Sequence, residues 1–117
     1  MKILVVDDEP DFLATCVRLL ALMGHEAVTA ANALDAMSLI DRGGLDLLIT
    51  DLRMAPVSGQ AVIQHARRAR PALPVIVVTG HPSPDVASMV REAGATLLPK
   101  PITPAELRAA INRTISG

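Results

Sequence analysis

The chain has 117 residues, of which 50% are hydrophobic and 20% charged, with a formal net charge of −1, so we expect one soluble globular domain with a single core. This balance predicts no direct nucleic-acid binding, and the basic cluster at residues 67–70, which lacks interleaved aromatic residues, is interpreted as a solvated helix end. No apolar stretch reaches the roughly 20 residues of a membrane span, and a single cysteine fits a reducing compartment, so we expect a cytoplasmic protein without membrane contact.

Two β–α units are predicted in the first 44 residues. An apolar run at residues 3–6 predicts a buried strand, and the apolar spacing after Pro10 predicts a helix that ends at Gly24. The inner face of this helix is expected to contain Phe12, Cys16, Leu19, Leu20 and Met23. A second strand is expected at residues 25–30, followed by a helix with Asn32 at its N-cap. The inner face of the second helix is predicted to contain Leu34, Met37 and Ile40.

Three further units follow in the same alternation. Short apolar runs predict strands at residues 47–50, 75–78 and 97–99. Helices are expected at residues 59–69, at residues 83–93, and after a capping box that begins at Thr103. Strands that are apolar throughout are typical of a parallel sheet covered on both sides. The five units therefore predict an α/β, flavodoxin-like, doubly wound fold with a five-stranded parallel sheet of order 2-1-3-4-5.

Chemically reactive side chains follow four of the five predicted strands. Asp7 and Asp8 follow the first strand and Asp51 ends the third, while Thr79 and Lys100 follow the fourth and fifth. Thr79 and Lys100, each taken alone, are explained as ordinary polar strand ends, but the carboxyl ends of parallel strands meet at one edge of the sheet. Neighbouring carboxylates repel one another unless they share a cation, and Mg²⁺ prefers oxygen ligands. The five together predict a site for a divalent cation and a phosphoryl group.

The whole chain resembles the receiver domains of two-component response regulators. The resemblance is carried by residues 3–10, by residues 51–54 with Gly59 eight positions after Asp51, by residues 77–80 and by residues 98–101. It implies that Asp51 accepts a phosphoryl group from the phosphohistidine of a sensor histidine kinase or a histidine phosphotransfer protein. The implied function is a phosphorylation-activated signalling switch that changes protein–protein contacts, promotes its own phosphorylation and dephosphorylation, and is not a turnover enzyme.

The resemblance also implies the metal ligands. Asp8 and Asp51 would bind Mg²⁺, or Mn²⁺ in its place, directly, and Asp7 would bind it mostly through water. The backbone carbonyl of Arg53 would be the last protein ligand.

Further residues are implied to act on the phosphoryl group. Thr79 would donate a hydrogen bond to it and Lys100 would neutralise its charge, while Gly80 would leave the strand end open to the phosphohistidine. A cis peptide bond before Pro101 would turn Lys100 into the site. Two residues are implied to flank the path of an attacking water and to tune the phosphoryl lifetime, Arg53 and His81.

The chain departs from the family pattern at two positions. Members often have proline four residues after the phosphoacceptor, where this chain has Ala55 followed by Pro56. Members usually carry tyrosine or phenylalanine three residues before the site lysine, where this chain has Leu97. The rotating aromatic partner of the switch hydroxyl on Thr79 is therefore absent at that position.

Two other classes of protein compete with this interpretation. A haloacid-dehalogenase-like phosphatase also uses an aspartyl nucleophile with Mg²⁺, but it places a second aspartate two residues after the nucleophile, where this chain has Glu9 after Asp7. A flavin-binding protein would need a Ser/Thr/Gly phosphate loop after the first strand and aromatic residues around the flavin ring. This chain has no such loop there, and its only Phe, Tyr or Trp residue is Phe12. We expect residues 1–117 to form one receiver domain without an effector domain, acting on a downstream protein or an effector domain as a monomer or a phosphorylation-dependent homodimer.

Overall fold

The computed structural model describes residues 1–116, in which five strands and five helices alternate. The strands are β1 (Lys2–Val6), β2 (Glu26–Ala30), β3 (Leu47–Asp51), β4 (Val75–Thr79) and β5 (Thr96–Pro99). The helices are α1 (Pro10–Leu22), α2 (Ala33–Arg42), α3 (Gly59–Ala69), α4 (Pro84–Glu92) and α5 (Pro104–Ser116). All strand pairs are parallel, in the order β2-β1-β3-β4-β5. The predicted flavodoxin-like topology is confirmed.

Two apolar clusters cover the faces of the sheet. Helices α2, α3 and α4 pack on one face, and α1 and α5 pack on the other. Cys16 lies in the second cluster with no exposed surface, and burial, with the charge of Asp7, raises the pKa of its thiol to about 12. The predicted buried thiol is therefore confirmed. The prediction for Leu34 is wrong, because its side chain is 65% exposed while Ala33, Ala36 and Ile40 form the buried face of α2.

Polar side chains begin three of the helices at the predicted positions. The side-chain oxygen of Asn32 accepts a hydrogen bond from the Asp35 amide at 2.8 Å. The hydroxyls of Ser83 and Thr103 likewise accept bonds from amides three residues further on, at 3.2 and 3.1 Å. Each bond satisfies an amide that the first turn of a helix leaves without a partner. No helix within residues 1–116 has the length and apolar character needed to cross a membrane.

The interpretation of residues 67–70 as a solvated helix end is wrong for Arg67. Its guanidinium donates hydrogen bonds to the carbonyls of Ala93 at 2.7 Å and Leu73 at 2.6 Å. Arg70 is exposed, but its guanidinium also donates to the carbonyl of Asp41 at 2.9 Å, near the end of α2. Carbonyls at helix ends lack intrahelical partners and carry partial negative charge, which attracts these cations. The cluster therefore ties α3 to α2 and α4.

Candidate functional site

Three carboxylates meet where the chain reverses its winding, between β1 and β3. The register pairs Val6 with Thr50, so the following residues, Asp7 and Asp51, are neighbours at the edge of the sheet. One carboxylate oxygen from each of Asp7, Asp8 and Asp51 lies within 4.8 Å of the others. Asp7 and Asp51 are buried, whereas Asp8 is exposed at the mouth of the site. The predicted acidic cluster thus forms, with one carboxylate open to solvent.

Lys100 enters this cluster from the end of β5. Its Nζ lies 2.8 Å from Oδ2 of Asp7 and 3.6 Å from Oδ2 of Asp51. The backbone amide of Lys100 donates to the Thr79 carbonyl at 2.8 Å, and the bond between Lys100 and Pro101 is cis. Burial lowers the pKa of Lys100, but the hydrogen bond to Asp7 and the nearby carboxylates outweigh burial and raise it overall. The ammonium is therefore held charged among the carboxylates.

The carboxyl of Asp51 is held by its own loop. Its Oδ1 accepts a hydrogen bond from the Leu52 amide at 2.8 Å. Burial raises the pKa of Asp51, and the charge of Lys100 opposes that rise while the charge of Asp7 adds to it. The hydrogen bond from the Leu52 amide and the charge of Lys100 both favour the ionised form of the Asp51 carboxyl. Asp51 is thus a partly desolvated carboxylate next to one cation.

The end of β4 forms the opposite wall of the site. The register pairs Asp51 with Val78, which places Thr79 one residue beyond Asp51 along this edge. Thr79 is buried, and its hydroxyl oxygen accepts a hydrogen bond from the His81 amide at 3.1 Å. Gly80 is exposed, and a Cβ atom there would meet no other atom within 4 Å. This side of the site is therefore open, and His81 is exposed beside it.

The loop after β3 brings α3 against the backbone of Asp51. A Cβ atom on Gly59 would lie 1.7 Å from the Asp51 carbonyl oxygen, so only glycine allows this approach. Arg53 lies exposed in this loop, and the bond between Ala55 and Pro56 is cis. The sequence analysis did not predict that second cis bond.

Two further residues at the site were missed by sequence reasoning. Oε1 of Glu9 lies 3.5 Å from Nζ of Lys100. The ring of Phe12, which was predicted only as a core residue, has its centroid 4.3 Å from the same Nζ. Both residues follow β1 closely in the chain, and this position was the only sign in the sequence that they could lie near the site. Their contact with Lys100 could not be predicted, because Lys100 is about 90 residues away.

The donor set fits a hard divalent cation. The three clustered side chains offer only carboxylate oxygens, the ligands that Mg²⁺ takes together with water and phosphate oxygens. A softer metal would favour histidine or cysteine ligands, and none of these within residues 1–116 joins the group. Lys100 alone leaves the cluster with net negative charge, since it faces several carboxylates. The residues present therefore suit Mg²⁺.

Comparison with known proteins identifies the family. The model of the response regulator receiver domain matches residues 3–112. The transcriptional regulatory protein GlrR of Escherichia coli is 32% identical over 94% of this chain and 25% of its own length. The alginate biosynthesis transcriptional regulatory protein AlgB of Pseudomonas aeruginosa is 37% identical over 93% of this chain and 24% of its own length. The chain thus spans about a quarter of the length of these curated relatives.

Solved structures agree with the sequence match. A response regulator receiver domain protein from Clostridium thermocellum is 34% identical and superposes with a TM-score of 0.91, over 98% of this chain and 94% of that one. The beryllofluoride-activated NtrC4 receiver domain is 28% identical with a TM-score of 0.91, over 98% and 96% of the two chains. These matches give no support to the haloacid-dehalogenase-like alternative. Response regulator receiver domains bind Mg²⁺ at their aspartate cluster. The sequence and structure matches together show that the chain belongs to the response regulator receiver domains of two-component signalling.

Proposed function

We propose that Asp51 is the phosphoacceptor of this receiver domain. The observation that carries the proposal is the position of Asp51, whose carboxylate lies within 4.8 Å of oxygens of Asp7 and Asp8 and 3.6 Å from the Lys100 ammonium. Its backbone is fixed by the close approach of Gly59. Positioning and charge neutralisation supply most of the catalysis in phosphoryl transfer, and both are present around this one carboxylate.

The proposed reaction moves one phosphoryl group between two side chains. A carboxylate oxygen of Asp51 attacks the phosphorus of a phosphohistidine, forming an O–P bond as the N–P bond breaks. The electron pair of the N–P bond stays on the imidazole nitrogen, which then takes up a proton from solvent. Lys100 and the hydroxyl of Thr79 donate hydrogen bonds to the phosphoryl oxygens, where negative charge is concentrated.

Mg²⁺, with Mn²⁺ as a substitute, is the proposed cofactor. Asp8 and Asp51 would hold it directly, Asp7 through water, and the Arg53 carbonyl would be a further ligand. When bound, the ion neutralises phosphoryl charge next to the carboxylates. In its absence the chain's own cation, Lys100, already lies 2.8 Å from Asp7 and so offsets part of the repulsion among the acidic residues.

Loss of the phosphoryl group is proposed to occur by attack of water on the same phosphorus. The water oxygen forms a new bond to phosphorus as the O–P bond to Asp51 breaks, and the water protons pass to the phosphate or to solvent as inorganic phosphate leaves. We propose that the domain promotes its own dephosphorylation in this way and is not a turnover enzyme. Arg53 is exposed in the loop after β3, and His81 is exposed just after β4. We propose that these side chains set how readily water reaches the phosphoryl group, and that Gly80 leaves room for the phosphohistidine.

The proposed partners are a sensor histidine kinase or histidine phosphotransfer protein and a downstream protein or effector domain. Support comes from the relatives, which are named as transcriptional regulators about four times as long as this chain. We propose that residues 1–117 act as one receiver module by protein contact, as a monomer or a phosphorylation-dependent dimer, and do not bind nucleic acid themselves.

Uptake of phosphate tests this function directly. Incubation with acetyl phosphate and Mg²⁺ is expected to add one phosphoryl mass, measured by intact-protein mass spectrometry. Asp51→Asn should abolish the added mass, because the amide is not a nucleophile for phosphorus. The matched control is Asp46→Asn. Asp46 is an exposed carboxylate just before β3, at the end of the strands opposite to the site, and this variant should keep full uptake. An unchanged mass increase in Asp51→Asn contradicts the assignment.

A further inference from the structure

The only aromatic residue of the chain lies against the lysine of the proposed site. The Nζ atom of Lys100 is 4.3 Å from the centroid of the Phe12 ring, within the roughly 6 Å over which a cation is attracted to a ring face. We propose that Phe12 is a positioning residue for phosphoryl transfer, which holds the Lys100 ammonium beside Asp51. This inference rests on the proposed function of Asp51.

The ring leaves the hydrogen-bonding capacity of the ammonium intact. A lysine ammonium has three N–H donors, and the neighbouring carboxylates of Asp7, Glu9 and Asp51 lie at 2.8, 3.5 and 3.6 Å. Phosphorylation of Asp51 adds oxygens that need these donors. A polar neighbour in place of Phe12 would take up one donor, whereas the ring attracts the charge without doing so. The ammonium can therefore pass from a carboxylate to the phosphoryl group without breaking a hydrogen bond to the residue at position 12.

The contact also suits a cation that has to change partners. A hydrogen bond weakens steeply when its angle is distorted, but attraction to a ring face depends mainly on distance from the ring. Lys100 can therefore shift from Asp7 towards a phosphoryl oxygen while it stays over Phe12. Only 17% of the Lys100 side chain is exposed, so little water weakens the attraction.

A purely structural role for Phe12 is the competing explanation, because the ring also packs against the core cluster of α1 and α5. Phe12→Leu separates the two, since leucine keeps an apolar side chain and removes the ring face. Phe12→Tyr is the rescue variant, since it keeps the ring face. Thermal unfolding followed by circular dichroism checks that each variant is folded at the temperature of the assay.

The first measurement is the rate of phosphorylation by acetyl phosphate with Mg²⁺. We expect Phe12→Leu to slow it about three- to tenfold and Phe12→Tyr to stay within about twofold of the parent. In a Lys100→Met background the ring has no cation to hold, so Phe12→Leu should change the rate less than about twofold there. An equal fold-change in both backgrounds, or no change in either, overturns the proposal.

The second measurement needs neither metal nor phosphate. The ε-methylene signals of Lys100 should be shifted upfield by the ring current in the parent and in Phe12→Tyr, and should return to ordinary values in Phe12→Leu. Unchanged signals in Phe12→Leu overturn the proposal. If phosphorylation in the Lys100→Met background is too slow to follow, this measurement replaces that comparison as the test of the contact. If the parent takes up no phosphate while the ring-current shift is present, the proposed function has failed and the contact itself stands.

Discussion

The two adjacent aspartates after β1 have different surroundings, and this difference separates their roles. Asp7 is fully buried, and its oxygens accept hydrogen bonds from the Glu9 amide at 2.9 Å and from Lys100 at 2.8 Å. Asp8 is exposed at the mouth of the site. A carboxylate that already accepts two such bonds is less available to a metal than one that faces solvent. Asp8 is therefore the better candidate for a direct ligand.

We expect Asp8→Ala to weaken Mg²⁺ binding more than Asp7→Ala does. An outer group that contacts the ion through water typically costs roughly 10- to 100-fold in metal affinity when it is removed, which is the range expected for Asp7→Ala. Asp8→Ala should exceed it. Calorimetry or amide shifts during a Mg²⁺ titration measure this, because the chain has no Trp or Tyr to report binding. Asp11→Ala, an exposed carboxylate in α1, is the control, and equal losses at positions 7 and 8 would refute the ranking.

At the scale of elements, the contact between β3 and the start of α3 fixes the backbone of Asp51. The Gly59 amide donates to the Leu52 carbonyl at 3.0 Å, and the glycine has no room for a side chain. Its Cβ atom would lie 2.7 Å from the Asp51 carbonyl carbon, which only movement of the backbone could relieve. The loop before α3 and the proposed phosphoacceptor, Asp51, are thus in direct backbone contact.

Gly59→Ala is expected to destabilise the fold by about 1–3 kcal/mol, the usual cost of overpacking, and to slow phosphorylation by moving Asp51. Gly80→Ala is the matched control at the neighbouring strand end, where a Cβ atom meets nothing within 4 Å. It should change the free energy of unfolding by no more than about 0.5 kcal/mol. Urea unfolding followed by circular dichroism measures both. A Gly59→Ala protein as stable as Gly80→Ala would show that this contact is not rigid.

Arg67 is expected to contribute more to stability than its neighbour Arg68, because it joins α3 to the end of α4 and to the loop before β4. Removing its guanidinium leaves the partly buried carbonyls of Ala93 and Leu73 without that donor, at a cost of about 1–3 kcal/mol. Arg68→Ala, an exposed residue at the same helix end, should change the free energy of unfolding by less than about 0.5 kcal/mol. Similar unfolding midpoints for the two variants would contradict this role.

At the scale of the whole molecule, strand-end chemistry was predictable from the sequence, whereas long-range contacts were not. Apolar runs that end in polar residues define parallel strands, and the strand order then places Asp51 near Asp7. Leu34 was misplaced because alanines carry no clear hydrophobic signal, although Ala33 and Ala36 form the buried face of α2. The contact of Phe12 with Lys100 depends on the relative position of α1 and β5, which residue spacing does not reveal.

Leu97 lies on β5, next to the strand that carries Thr79. The Thr79 hydroxyl accepts a hydrogen bond from the His81 amide, and two residues before Thr79, Val77 is paired with Leu97. Leu97 is partly buried and packs against the cluster shared with α4. It has less apolar area than an aromatic ring and no hydroxyl that could exchange a surface hydrogen bond for burial. Leu97 therefore has fewer contacts that could differ between the unphosphorylated and the phosphorylated state.

A ligand shifts a conformational equilibrium only as far as its interactions differ between the two states. We therefore expect phosphorylation to change residues near the site, 52–59 and 80–84, more than the surface formed by α4, β5 and α5. Amide shifts with and without beryllofluoride and Mg²⁺ measure this. Leu97→Phe should enlarge the changes over residues 86–115, because a ring has more contacts to gain or lose as the hydroxyl of Thr79 turns towards the phosphoryl group. Large, contiguous changes over residues 86–115 in the parent would show that Leu97 transmits the signal as well as an aromatic residue does.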